Sequence, residues 1–117
     1  MARVWQAALP SNRVPQNVEL LYFEGCPNHE LARELVERVA AQAGAELNLR
    51  LVEVTSVDDA ERLRFLGSPS VRVNGHDVEP GADDLDTFVF ACRVYQTARG
   101  LRGTPSDDWV RAALHAA

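Results

Sequence analysis

Hydrophobic and polar positions in the first half of the chain predict a strand followed by a helix. Residues 18–23 form a short, mostly apolar run rich in β-forming side chains, which is typical of a central strand buried on both faces. Cys26 and Pro27 open the next element, because proline is favoured in the first turn of a helix. Apolar residues then recur at helical spacing until Gly44, a favourable residue at a helix C-terminus. The predicted buried stripe consists of Leu31, Ala32, Leu35, Val36, Val39 and Ala40.

A second strand and a short helix follow. Residues 47–54 begin with a clean alternation of apolar and polar side chains, which predicts a strand. Ser56 and Asp59 stand three residues apart, as in a capping box, and predict a helix around residues 58–66.

A hairpin is predicted next, because Asn74 and Gly75 lie between two short β-like runs. Its strands should lie near residues 70–73 and 76–79. Residues 83–98 fit either a helix or an extended segment, and their aromatic and β-branched side chains favour the extended form.

The two ends of the chain differ in pattern. A last helix is predicted from about residue 105 to 116. Residues 1–17 contain two prolines and no sustained periodicity, so we interpret them as a tail. The order of elements over residues 18–117 predicts an α/β fold, in which a mixed β-sheet carries helices on both faces.

Composition and charge exclude several classes of protein. The chain has 117 residues with 12 basic and 17 acidic side chains, and its net charge is −5. A nucleic-acid-binding protein would normally present a basic surface. No apolar run approaches the roughly 18 residues that a membrane span needs, and residues 1–16 are too polar for a secretory signal. We therefore expect a cytoplasmic protein, in which two cysteines do not form a disulfide scaffold.

Two proline-containing motifs carry a resemblance to a known family. Cys26-Pro27-Asn28-His29 follows the first strand, and Ser68-Pro69 immediately precedes the third. With these motifs the chain resembles the thioredoxin-like superfamily, glutaredoxins included. That resemblance implies a three-layer sandwich with 83–103 as an insertion, an active-site loop at the first motif, and a cis proline at Pro69 facing it. Cys92-Arg93-Val94-Tyr95 adds a similarity to small bacterial thioredoxin-like proteins labelled as related to alkylmercury lyases.

Cys26 is the predicted nucleophile, because a helix N-terminus stabilises a thiolate. A buried structural cysteine is the alternative. His29 would share a helical face with Cys26 and favour the thiolate or accept a proton, unless it is simply a surface histidine. Because His29 replaces the second cysteine of a Cys-x-x-Cys motif, the loop lacks a resolving cysteine of its own. One cysteine and one histidine make at most half a metal site, so no metal is predicted.

The resemblance assigns substrate binding to Pro27, Ser68 and Pro69. Pro27 fixes the turn. A cis bond at Pro69 would expose the backbone of Ser68 for antiparallel pairing with an extended peptide or a glutathione-like chain. Without the resemblance, a trans Pro69 that opens an edge strand is the expected arrangement.

Cys92 also has two interpretations. It is either a remote resolving thiol close to Cys26 or a small buried hydrophobe among apolar neighbours. Arg93, Arg99 and Arg102 form a basic cluster that would either hold a carboxylate, such as one of glutathione's, or lie on a solvated edge.

These assignments lead to three functional hypotheses. The first is a monothiol thiol–disulfide oxidoreductase in which Cys26 attacks a disulfide or accepts a glutathionyl group, and glutathione or Cys92 resolves the mixed disulfide. The second is a non-catalytic thioredoxin-fold binding module. The third is soft-metal or organomercurial handling by Cys26 and Cys92, assisted by His29. The expected partner is a disulfide-containing protein or glutathione as co-substrate, with no nucleic acid, membrane or bound cofactor.

Overall fold

A four-stranded mixed sheet lies at the centre of the computed structural model, which describes residues 15–116. The helices and strands, in chain order, are β1 (Gln16–Tyr22), α1 (His29–Ala43), β2 (Leu47–Glu53), α2 (Val57–Arg62), β3 (Ser70–Val73), β4 (His76–Asp77), β5 (Tyr95–Thr97), β6 (Gly100–Arg102) and α3 (Asp107–Ala116). The sheet order is β2-β1-β3-β4, and β5 and β6 form a separate hairpin. Most of the predicted tail lies outside the described residues, but Gln16 and Asn17 already belong to β1.

Strand β1 is central, as its apolar run predicted. It pairs in parallel with β2, with Leu20 opposite Leu51, and antiparallel with β3, with Leu20 opposite Val71. Val18, Leu20 and Leu21 are all buried, so the strand is covered on both faces. The α/β class and the mixed sheet are therefore confirmed.

Two apolar clusters lie on opposite faces of the sheet. The larger one joins Val18 and Leu20 of β1 to helices α1 and α3. The smaller one joins Leu21, which points to the other face, to Ala60 of α2 and to Phe65. The arrangement has three layers, with α1 and α3 on one side and α2 on the other. Within residues 15–116, no helix is both long enough and apolar enough to cross a membrane.

Helix α1 begins later than predicted. Asn28 is its N-cap residue, so Cys26 and Pro27 lie in the turn before the helix rather than in its first turn. The C-terminus is as expected, because Gly44 adopts a left-handed conformation with φ of 69°. The prediction for Leu31 was wrong: this side chain is 54% exposed. The buried stripe follows positions 32, 35, 36, 39 and 40, and Leu31 lies just outside it.

Helix α2 begins at the predicted capping box. The Ser56 hydroxyl accepts a hydrogen bond from the Asp59 amide at 3.0 Å, and the Asp59 carboxylate accepts one from the Thr55 amide at 3.1 Å. The helix ends at Arg62, earlier than the predicted residue 66. The reason is local, because Arg64 adopts a φ of 55°, which a helix does not accommodate.

The Asn74–Gly75 hairpin forms as predicted. Both residues have positive φ, which is the requirement of the tight turn that joins β3 and β4. Strand β4 is only two residues long and does not reach residue 79. Residues 83–98 contain no α-helix, and a strand forms only at Tyr95–Thr97. The extended prediction was wrong for residues 85–94, which are irregular apart from the isolated bridge at Cys92.

Candidate functional site

Cys26 lies in a tight turn between β1 and α1. Its backbone amide donates a hydrogen bond to the carbonyl oxygen of Phe23 at 3.2 Å, and Gly25 permits the turn with a φ of 89°. Only 5% of the Cys26 surface is exposed. The neighbouring Pro27 is exposed. The sulfur therefore belongs to a largely buried side chain placed two residues before the N-cap of α1.

His29 is tied to the backbone of Cys26. Its Nδ1 lies 3.1 Å from the Cys26 carbonyl oxygen, which can only accept, so Nδ1 carries the proton in this bond. The imidazole also stacks on Tyr22, with ring centroids 4.6 Å apart. The prediction of a shared helical face was wrong, because Cys26 precedes the helix. His29 thus holds the shape of the turn through the main chain.

The Ser68–Pro69 loop lies next to this turn. The peptide bond is cis, as the resemblance implied, and both residues are fully buried. The Ser68 hydroxyl oxygen accepts a hydrogen bond from the Phe23 amide at 3.3 Å. The two motifs, 45 residues apart in the chain, therefore meet at the C-terminal end of β1.

The backbone of Ser68 is occupied by the chain itself. Its amide donates to the carbonyl oxygen of Ala91 at 2.8 Å, and its carbonyl oxygen accepts from the amide of Arg93 at 2.9 Å. These bonds form a parallel bridge between Ser68 and Cys92. The sequence predicted a Ser68 backbone open to an antiparallel partner. In the structure this position is instead taken by residues 91–93 of the same chain, which run parallel to Ser68 and are called the 91–93 segment below.

Cys92 is exposed and is a free thiol, as is Cys26. It is therefore not the buried hydrophobe that was one of its two interpretations. Residues opposite each other in a bridge project from the same face, so Cys92 lies on the face where the Ser68 hydroxyl meets the Cys26 turn. Phe90 packs edge-to-face on Phe23, with centroids 5.4 Å apart, and brings the same segment onto that turn.

Arg93 anchors this segment from the other face. The guanidinium is bound by two carboxylates, with 2.8 Å to Asp77 and 2.7 Å to Glu79, and donates to the Ser70 hydroxyl at 2.9 Å. Only 7% of Arg93 is exposed, so its assignment to a basic surface cluster was wrong. Burial works to lower the pKa of Arg93, but the bonds to Asp77 and Glu79 outweigh it and raise the pKa above its ordinary value.

Close backbone contacts complete the site. A Cβ atom at Gly67 would lie 2.8 Å from the Cβ of Arg93, so the segment fits only against a glycine. The hydroxyl of buried Tyr95 donates to the Pro69 carbonyl oxygen at 2.5 Å, and burial raises the pKa of Tyr95 above its ordinary range. At Gly103, the space that a Cβ would need is filled by the Asn28 side chain.

The sequence pattern did not predict the ion pairs that hold Arg93. Asp77 and Glu79 lie 16 and 14 residues before Arg93, beyond the reach of any local motif. The one available signal is an arginine in a run of apolar and aromatic side chains, where a charge needs a partner.

Metal binding gains no support from the described residues. Among residues 15–116, no group of three or more His, Cys, Asp or Glu side chains is placed to hold an ion. Soft-metal handling by the two thiols stays a prediction. The sequence matches no protein-family profile, and no curated protein and no solved structure is significantly similar to it.

Proposed function

We propose that this protein is a thiol–disulfide oxidoreductase of thioredoxin-like architecture, in which Cys26 and Cys92 form the redox pair. The observation that carries the proposal is the position of Ser68. Its hydroxyl is bonded to the Cys26 turn, and its backbone is bonded on both sides of Cys92. One buried serine thus links the segments that carry the two cysteines of the chain.

Exposure assigns a different role to each thiol. Cys92 is exposed and can reach an external disulfide, whereas Cys26 is 5% exposed. Cys26 lies two residues before the N-cap of α1, at the helix end where the first backbone N–H groups lack helical partners. We therefore give the first attack to Cys92 and the second to Cys26, the reverse of the order expected from the motif alone.

The proposed reaction balances over two exchanges. The Cys92 thiolate attacks one sulfur of a disulfide RS–SR′, forms the mixed disulfide Cys92–S–S–R and releases R′S⁻, which takes up a proton. The Cys26 thiolate then attacks the Cys92 sulfur, forms the Cys26–Cys92 disulfide and releases RS⁻. The substrate is reduced and the two protein thiols are oxidised. Two molecules of glutathione then reduce the protein disulfide and leave as glutathione disulfide, so net turnover requires a substrate disulfide other than glutathione disulfide.

A small disulfide is the proposed substrate. An extended peptide would need the backbone groups of Ser68, and both are already bonded to residues 91 and 93. A small disulfide needs only access to the exposed Cys92, and glutathione disulfide is the probe for this exchange. This substrate class is narrower than the disulfide-containing protein considered from the sequence.

The experiment compares the wild type with Cys26→Ser and Cys92→Ser, each treated with glutathione disulfide and examined by peptide mass mapping. The wild type should form a Cys26–Cys92 disulfide. Cys26→Ser should accumulate one glutathionyl group on Cys92, because the resolving thiol is gone. Cys92→Ser should retain most of its Cys26 as free thiol. Catalysis is measured as reduction of a small disulfide by glutathione. Cys92→Ser should abolish it, whereas Cys26→Ser should slow it, because free glutathione must then resolve the mixed disulfide.

A non-catalytic binding module is the second candidate. It is favoured by the burial of Cys26, which limits the access of a substrate to this thiol. If the wild type carries glutathione on Cys92 and never forms the internal disulfide, the redox pair is wrong and the binding module gains.

A further inference from the structure

Four arginines line one cavity between α1, the β5–β6 hairpin and the start of α3. The cavity has a volume of about 400 Å³, within the range of small-molecule sites. All 12 basic residues of the chain are arginines, so a third of them face this one space in a protein of net charge −5. The four are Arg38, Arg99, Arg102 and Arg111.

Two carboxylates of the cavity wall are already paired. Arg38 binds Asp107 at 2.8 Å, and Arg111 binds Asp108 at 2.9 Å. The remaining two arginines leave the lining with a net charge of +2. The Arg102 guanidinium makes a 3.2 Å bond to the neutral carbonyl oxygen of Leu101, which does not balance its charge.

The positive field of the cavity acts on Asp107. The hydrogen bond from Arg38 lowers the pKa of Asp107, and the charges of Arg38, Arg111 and Arg99 lower it further. An anion that enters the cavity would meet the same guanidinium groups. Both ion pairs are substantially exposed, so each contributes little stability and can rearrange around a ligand.

The rest of the lining supplies both polar and apolar contacts. Thr104 and Ser106 are polar residues of the lining, and Leu35 and Pro105 are apolar ones. An inorganic ion would fill only part of such a volume. The lining therefore fits a ligand that joins an anionic group to an organic body.

We propose that this cavity binds a small phosphate monoester. A phosphate monoester carries close to two negative charges near neutral pH, which matches the unbalanced charge of the lining. Its oxygens suit the fork of donors on an arginine side chain. This site is independent of the thiol chemistry proposed above, because it contains neither cysteine.

The experiment is a nuclear magnetic resonance titration of the wild type with phenyl phosphate at low ionic strength. We expect saturable shifts in the amides of residues 104–107 and in the side-chain N–H signals of Arg99 and Arg102. Arg99→Gln with Arg102→Gln should weaken binding by about tenfold or more, since each contact to a charged group contributes strongly. The matched control is Arg33→Gln with Arg50→Gln, which removes the same charge outside the cavity.

Three results would overturn the proposal. The first is a titration with no saturable shifts at these residues. The second is equal weakening by the two double variants, which would mean a general charge effect. The third is equal affinity for succinate, a dicarboxylate of the same charge, which would remove the preference for phosphate. Circular dichroism of both double variants checks that each one is folded.

Discussion

Ser68 is paired with Cys92 through both of its backbone polar groups. The pairing holds the exposed Cys92 beside Ser68. The Ser68 hydroxyl is in turn bonded to the Phe23 amide in the turn that contains the buried Cys26. Cysteines 66 residues apart in the chain are thereby brought to one end of the sheet. The positions of the two cysteines in the sequence do not predict that both lie at this end of the sheet.

The two thiols should differ in their rate of alkylation. In native protein at mildly alkaline pH, where a typical thiol is substantially ionised, access controls the rate, so iodoacetamide should modify Cys92 before Cys26. Peptide mapping over time measures both rates. In urea the two rates should converge, and faster labelling of Cys26 in the native protein would contradict the burial described for it.

Arg93→Ala should destabilise the protein by about 3–5 kcal/mol, because it leaves Asp77 buried without its charged partner. Urea unfolding followed by circular dichroism measures the loss. Arg50→Ala is the control, since this exposed arginine should change stability by no more than about 0.5 kcal/mol. Similar effects from the two substitutions would mean that Arg93 is not an anchor.

Gly67→Ala should destabilise the protein more than Gly81→Ala. Both glycines have positive φ, so both substitutions incur backbone strain, but only position 67 also brings a Cβ against Arg93. The added overlap should cost about 1–3 kcal/mol beyond the strain. Parallel urea titrations give the difference, and equal losses at the two positions would refute the close approach of the segment to Gly67.

Asp59→Asn should lower stability at neutral pH and have little effect in acid. The hydrogen bond from the Thr55 amide, together with Arg62, holds the pKa of Asp59 below its ordinary value. The ionised side chain therefore stabilises the fold above the unfolded pKa of about 3.9, and this contribution is lost as the pH falls through the lower folded pKa. Thermal midpoints of both proteins, measured from pH 7 to pH 2.5, should approach each other at the acid end.

Local patterns predicted those elements that local interactions determine. The capping box at Ser56, the Asn74–Gly75 turn and the end of α1 at Gly44 each depend on residues within a few positions. The buried run of β1 was equally clear, because a strand covered on both faces is apolar throughout.

The site depended on contacts that no local pattern contains. The bridge at Ser68 and the ion pairs of Arg93 join residues 14 to 24 positions apart. Pro27 predicted a helix that includes Cys26, but the helix begins after Asn28. Cys26 and His29 therefore do not share a helical face. The cysteine positions were therefore recognised, whereas their environments required the tertiary structure.

The contact between Gly103 and Asn28 joins the turn before α1 to the end of the β5–β6 hairpin. Asn28 caps the helix beside Cys26, and Gly103 directly follows the strand that ends in Arg102. The absence of a side chain at position 103 lets the Asn28 side chain lie directly against the backbone there. A side chain at position 103 would therefore push the turn before α1 and the β5–β6 hairpin apart.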